Sequence, residues 1–395
     1  MKTPNPLSEP PDFSLVLGGP LYQLWLRTKL VRPPMELLHR RILAFVVVTW
    51  LPLVLLTVLA GSFVGEVNVP FLVDLDAQVR FLVTLPLLIG AELIVHCRMR
   101  EVVKQFLEHG LVAPEDRPRF QEIVSRAMRL RNSVVVELLF FVFAFTAAHW
   151  VWSTQVTLHV ATWYAVPVAG TEKLTGPGFW YAFISLPIVR FIVLRWFFRI
   201  FIWYQFLWRV SRLRLRLNPL HPDRAGGLGF LSYSLDAFAP MLIAQSAFFA
   251  GDIGNRIWHQ GAKLPAFELE IVGILVVLML VVLLPLMFFI FQMASAKRAA
   301  LREYGLVAGH YVDEFRQKWL RRSETPAEEL LGTGDIQSLA DLGNSFEVVR
   351  EMRLVPFGRS AVLRLAILSA LPLFPLTLTM IPLEEMLSRL VKMVF

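Results

Sequence analysis

Apolar residues in this chain gather into seven long runs, at 42–64, 79–97, 133–152, 179–208, 233–251, 271–293 and 361–381. A helix needs about 20 mainly apolar residues to cross a bilayer. The pattern therefore predicts an all-α polytopic membrane protein with about seven transmembrane helices and a small helical cytoplasmic layer. The fourth run is longer than an upright crossing needs, so its helix tilts or runs on beyond the membrane. The seventh is interrupted by Pro372, Pro375 and Pro382. Proline removes helix hydrogen bonds, so this run either crosses or dips in and returns.

Charge in the connections tests the count, because Lys and Arg accumulate on the cytoplasmic side. Six basic residues precede the first run, eight lie in 98–132, five in 209–232 and ten in 294–360. The connection 66–78 holds none, 153–178 one, 251–267 two and the tail 383–395 two. This alternation predicts a cytoplasmic N-terminus, and seven crossings would leave the C-terminus outside. Trp150, Trp152, Trp163, Tyr164, Trp180 and Tyr181 mark the outer ends of runs three and four. Trp203, Tyr204 and Trp208 mark the inner end of run four. Such rings favour the headgroup layer.

The resulting organisation is a cytoplasmic N-terminal segment 1–41, a bundle 42–293 with a helical cytoplasmic segment 98–132, a second helical segment 294–360, and a last span with its tail, 361–395. Within 294–360 a break is expected at 323–326. A second helix follows over 335–352, where Ile336, Leu339, Leu342, Phe346 and Val349 recur at helical spacing. The outer stretch 154–168 is rich in Thr, Val, Trp and Tyr and suits a short hairpin. No internal repeat is evident.

Composition sharpens the class. Hydrophobic residues make up 56% and charged residues 18%, against about 25% charged in soluble domains. Several soluble domains are therefore excluded. The net charge of +8 comes from residues flanking apolar runs, so no nucleic-acid partner is implied. The single cysteine, Cys97, rules out a disulfide framework and Cys-ligated clusters and reads as an apolar filler. The first 41 residues carry Pro4, Pro6, Pro10, Pro11, Pro33 and Pro34 and no early apolar core. The first run is thus expected to serve as an uncleaved signal-anchor.

Ionisable residues inside the runs are the main functional candidates, since each is costly in hydrocarbon. At about 1.5 Å per residue, Glu92, Glu137, Arg195, Arg199 and Asp236 fall in one layer of the inner half, with Arg190 nearer mid-membrane. Two readings stay open: an ion-pair network locking the spans, or an inner vestibule for an ion or anionic solute. The arginine steps of five and four do not match the every-third spacing of a voltage sensor, and Arg190 points nearly opposite Arg199. His96 lies four residues after Glu92 on the same helix face and joins the candidate transport site. No metal or cofactor is called.

The most distinctive stretch is Asn218-Pro-Leu-His-Pro-Asp-Arg-Ala-Gly-Gly-Leu-Gly-Phe-Leu231, on the cytoplasmic side. Gly226, Gly227 and Gly229 permit close approach and left-handed backbone angles. Successive N–H groups in such a turn can cradle an anion. With His221, Asp223 and Arg224 they form a candidate site for a phosphate or an anionic lipid headgroup; the alternative is a tight turn with a basic flank. The run HPDRAGGLGFL resembles one in uncharacterised bacterial multi-span inner-membrane proteins. The resemblance covers this loop firmly and the hydropathy profile loosely. It implies a bacterial inner-membrane location and carries no activity.

Catalytic signatures are absent. There is no Gly-x-Ser-x-Gly elbow, no His-Glu-x-x-His and no Walker A ending. Gly332-Thr-Gly-Asp335 stands in a polar segment without a second aspartate motif in a neighbouring span. The leading expectation is a channel or transporter for an ion or small solute, surrounded by membrane lipids, with a homo-oligomer left open. The rivals are a scaffold, sensor or envelope-assembly factor acting through 294–360, and a lipid-handling enzyme using His221 and Asp223.

Overall fold

The computed structural model describes residues 13–30, 36–65, 67–155, 161–168, 171–321 and 333–380; the expected break at 323–326 lies outside them. Of the described residues, 79% are helical. Among the described residues, six helices are long and apolar enough to cross a membrane: α2 (Leu38–Leu59), α3 (Leu75–Glu108), α6 (Gly176–Val210), α7 (Gly229–Gln260), α8 (Leu264–Leu320) and α10 (Arg359–Met380). The remaining helices are α1 (Pro20–Arg27), α4 (Arg117–Arg131), α5 (Val134–Gln155) and α9 (Gly334–Glu351). The third expected run falls on α5, which is not among the six.

The prolines shape these helices without ending them. Pro86 in α3 and Pro187 in α6 lack an N–H and crowd the preceding turn. In both helices the strain is absorbed by a π turn just upstream, Arg80–Thr84 and Tyr181–Ser185. Each turn adds one residue to the helical register. Pro285 tightens α8 into a 3₁₀ turn over Leu284–Phe289, and Pro372 and Pro375 do the same to α10 over Leu371–Met380.

The hairpin sits later than the sequence predicts. Strand β1 (Ala165–Val168) pairs antiparallel with β2 (Thr171–Leu174). The earlier part of the expected hairpin, 156–160, is outside the described residues. A close approach fixes this corner: a Cβ on Gly178 would collide with the Tyr164 carbonyl oxygen.

Helices α3 and α7 lie at the centre and pack along each other. Helix α2 lies against α3, α5 and α4 against α6, and α10 against α7. Two aromatic clusters close the ends. At one, Phe106 of α3 meets Phe120, Phe206, Phe230 and Phe289, drawn from four other elements, with centroids 5.1–6.4 Å apart. At the other, the buried Trp163 stacks edgewise on Phe71, Tyr164 and Tyr181 at 4.9–5.2 Å. Large apolar side chains such as Leu43, Leu59, Phe291 and Leu363 stand exposed on the outside of the bundle, the surface a hydrocarbon solvent requires.

The N-terminal segment is more than a tether. Phe13, Leu15 and Val16 are fully buried. Phe13 joins the Phe106 cluster through Phe206 at 5.0 Å. Arg131 of α4 donates to the Ser14 carbonyl at 2.6 Å, so the segment is pinned beneath α3 and α6.

Candidate functional site

Charged side chains inside the bundle fall into two groups. The first is a layer around Glu92 of α3. Arg41 Nη1 donates to Glu92 Oε2 at 2.7 Å, and Arg199 Nη2 donates to Oε1 at 2.6 Å. Arg195 Nη1 lies 3.9 Å from the same Oε1, and its Nε pairs with Glu137 Oε1 at 2.8 Å. The second Glu137 oxygen accepts the Leu21 N–H at 3.2 Å. The sequence expectation that Glu92, Glu137, Arg195 and Arg199 share one depth is met as geometry.

Three guanidiniums face two carboxylates here, and indole faces take up the excess positive charge. Trp25 of α1 lies under both Arg41, at 4.8 Å, and Arg195, at 5.6 Å; Trp196 lies 4.9 Å from Arg199. Such contacts gain strength when desolvated. Arg41 is 0% and Glu92 1% exposed. The gap bordered by Glu137, Arg195 and Arg199 is about 20 Å³, room for one water. Little space remains in this layer and its side chains pair with one another, the geometry of the ion-pair network rather than of the inner vestibule.

Three members of the expected site stand elsewhere. Asp236 pairs with Arg364 of α10 at 2.8 Å, and Arg98 lies at 3.8 Å. It shares the depth but faces α10, because depth along a helix does not fix direction around it. His96 meets Ser14, its Nδ1 2.9 Å from the hydroxyl. Among the described residues no cluster of His, Cys, Asp and Glu could hold a metal ion. Arg190 belongs to the second group. Arg41, by contrast, escaped the sequence reading. It counted there as a flanking basic residue, and no periodic signal marks the segment that buries it.

The second group lines a cavity of about 670 Å³ between α3, α5, α6 and α7, well within the size of small-molecule sites. It reaches the surface at the exposed Gln260. Leu85 and Leu88 of α3 and Leu242 of α7, which follow the cavity residues Thr84 and Gln245 in the direction of the Glu92 layer, and Trp196 of α6 are all fully buried. Trp196 donates its indole N–H to the Leu88 carbonyl at 3.1 Å.

Most charges around the cavity are paired. Arg80 grips Asp76 through both carboxylate oxygens at 2.7 and 2.5 Å. Arg256 bridges Asp252 at 2.7 Å and Glu270 at 2.6 Å. Asp74 accepts from the Trp163 indole at 2.7 Å and caps its own helix through the Ala77 N–H at 3.1 Å. Arg190 has no carboxylate within ion-pair distance among the described residues, and its Nη1 is buried with no hydrogen-bond partner. Gln245, 7% exposed, leaves Nε2 unpartnered, as do Arg80 and Arg256 with Nε. Asp76, Gln245 and Asn255 gave no sequence signal, because a void between four helices is invisible to hydropathy.

The glycine-rich loop supplies its own anion. Asp223 accepts backbone N–H bonds from Ala225 at 2.8 Å, Gly227 at 3.2 Å and Gly229 at 2.8 Å, and lies 2.9 Å from His221 Nδ1. Burial pushes its carboxyl up, but these four partners outweigh burial and hold it below the usual carboxylate range. Arg224 sits at φ +52° and Gly226 at φ +67°, and a Cβ on Gly226 would lie 2.8 Å from Met352. The turn is that tight because the chain after α9 docks on it. Arg353 donates from Nη2 to the Asp223 carbonyl at 2.5 Å and from its backbone N–H to the Arg224 carbonyl at 2.7 Å; Arg224 pairs with Glu351 at 3.0 Å. The cradle expected for an external phosphate or headgroup is thus filled from within, and His221 and Asp223 hold each other.

Comparison with family models, curated proteins and solved structures finds no match for this chain.

Proposed function

We propose that the protein is a carrier for a small solute, with the Arg190 cavity as its binding site and the Glu92 layer as its closed inner seal. The carrying observation is the cavity itself, a space of about 670 Å³ that sets arginine, carboxylate and amide groups among apolar walls and opens at one end of the bundle. In this reading α5 completes a set of seven spans and the N-terminus is cytoplasmic. The cavity then opens outward, and α4, α8 beyond the bilayer and α9 form a cytoplasmic layer. The alternation of basic residues supports that orientation. A bacterial inner membrane follows from the loop resemblance.

The test is uptake by sealed liposomes of purified protein, across a panel of inorganic ions, sugars and organic acids and amines. Saturable uptake of one class is expected. Ala144→Phe, which fills the cavity from a fully buried wall position, should abolish it at unchanged thermal stability. Uptake indifferent to that substitution, or no saturable uptake with folded protein, overturns the reading.

One observation favours a second reading. Leu306, Val307 and Leu320 are 57–71% exposed on the polar half of α8, as a scaffold docking a partner would require. A scaffold would survive Ala144→Phe and lose function when those three residues become serine.

A further inference from the structure

We infer that the cavity binds an organic anion with an apolar body, its charged group on Arg190 and Gln245. The inference rests on the cavity being the solute site and names the chemistry of what fills it.

The orphaned atoms decide the sign. Four polar atoms on the cavity residues are buried donors without acceptors: Arg190 Nη1, Gln245 Nε2, Arg80 Nε and Arg256 Nε. One orphan, Asn255 Oδ1, is an acceptor. Buried donors left unmade are costly, so the complementary ligand is rich in acceptors. The charges agree. Asp76 and Asp252 are neutralised by Arg80 and Arg256, and Asp74 is held by an indole N–H and a helix N-terminus. Arg190 is the cation left over. A cationic ligand would meet no free carboxylate and would be repelled by Arg190. An anion completes its fork, the geometry that suits carboxylate and phosphate groups.

The walls decide the body. Val189 and Val193 lie on the same helix as Arg190, while Phe143 and Ala144 of α5 and Phe248 of α7 complete an apolar side. An inorganic anion would leave that surface facing water. A molecule of about a dozen heavy atoms fits the volume and places carbon there.

The test is calorimetric titration of the full chain in phosphatidylcholine nanodiscs, against empty discs. The probes are 4-phenylbutyrate, 4-phenylbutylamine, 4-phenylbutanol and acetate. One saturable site for phenylbutyrate is expected, with the amine, the alcohol and acetate each at least about tenfold weaker. Arg190→Gln should weaken phenylbutyrate at least about tenfold, Gln245→Leu about threefold, and Arg190→Lys should restore part of the loss. If added phosphatidylglycerol competes with phenylbutyrate in wild type but not in Arg190→Gln, the same anion chemistry holds and the occupant is a lipid headgroup. The inference is overturned if the amine binds as well as the acid, if none of the probes binds, or if folded Arg190→Gln binds like wild type. Should Arg190→Gln fail to fold, Arg190→Lys and Gln245→Leu carry the decision. Anion binding without uptake would keep the inference and sink the carrier. Saturable uptake of a cation or neutral solute would keep the carrier and sink the inference.

Discussion

The Glu92 layer and the Arg190 cavity are built from the same side chains, arginines and carboxylates on α3 and α6, yet they are opposite in state. In the layer every carboxylate is gripped by arginine, the surplus arginine charge rests on indole faces, and no usable space remains. In the cavity the acids are gripped too, but one arginine is left over beside several hundred Å³ of space. A charge within a bundle is therefore not by itself a site. The useful signal is an orphaned donor next to a sizeable volume: Arg41 and Arg195 in the layer also carry donors without acceptors, but the gap at Arg195 is only about 20 Å³, whereas the cavity joins such donors to about 670 Å³.

The contrast can be broken most forcefully at Glu92. Glu92→Gln leaves Arg41 and Arg199 buried without their carboxylate, so a loss of about 3–5 kcal/mol is expected. It would appear as a lower thermal midpoint and poor membrane accumulation; an unchanged midpoint would mean the layer is not the lock described. Trp25→Leu removes the aromatic face beneath two cations and leaves part of a buried side chain's volume unfilled. A loss of about 1–2 kcal/mol should follow, and the same assay checks it. Arg190→Leu should run the other way. It strands no acid and removes an unpaired cation, so the midpoint should hold or rise by about 1 kcal/mol of stability. A fall as large as that of Glu92→Gln would show that Arg190 is a structural partner after all.

Two smaller effects lie outside the bundle core. Asp223 has a folded pKa below its unfolded value, so its contribution is fully present above the unfolded value and drains away as pH falls through the folded one. Proteolytic resistance of the 218–231 loop should be flat from pH 8 to 5 and drop below about pH 4; Asp223→Asn should remove that drop. Arg364→Gln breaks only a half-exposed pair with Asp236, and should shift the thermal midpoint by no more than about 0.5 kcal/mol.

Much of this was legible in the chain. Run lengths located the long helices, and rise per residue put Glu92, Glu137, Arg195 and Arg199 at one level. Asp236 shows the limit of that arithmetic, which fixes height and not azimuth. Arg41 and Ser14 were illegible for a different reason. Ser14 lies in a short segment without helical or strand periodicity, and Arg41 stands at the end of an apolar run, where a solvated flanking charge is the ordinary expectation. The loop's glycines correctly announced a nest of N–H groups, and Asp223 was in plain view. That it would turn inward depended on Met352 and Arg353, more than a hundred residues away. The cavity was the least legible part, since empty space is a property of four helices together.

The two π turns carry a mechanical consequence. Each holds one surplus residue in a helix that elsewhere advances about 100° per residue, and each carries a cavity residue, Arg80 in one and Tyr181 in the other. Relaxing either turn to an ordinary α turn would swing the N-terminal end of its helix by about that angle against the part that follows the proline. The rim would be re-faced while the sealed layer stayed still. Both turns precede a Leu-Pro step, Leu85-Pro86 and Leu186-Pro187, so a proline sets the position of each surplus residue in the cavity wall.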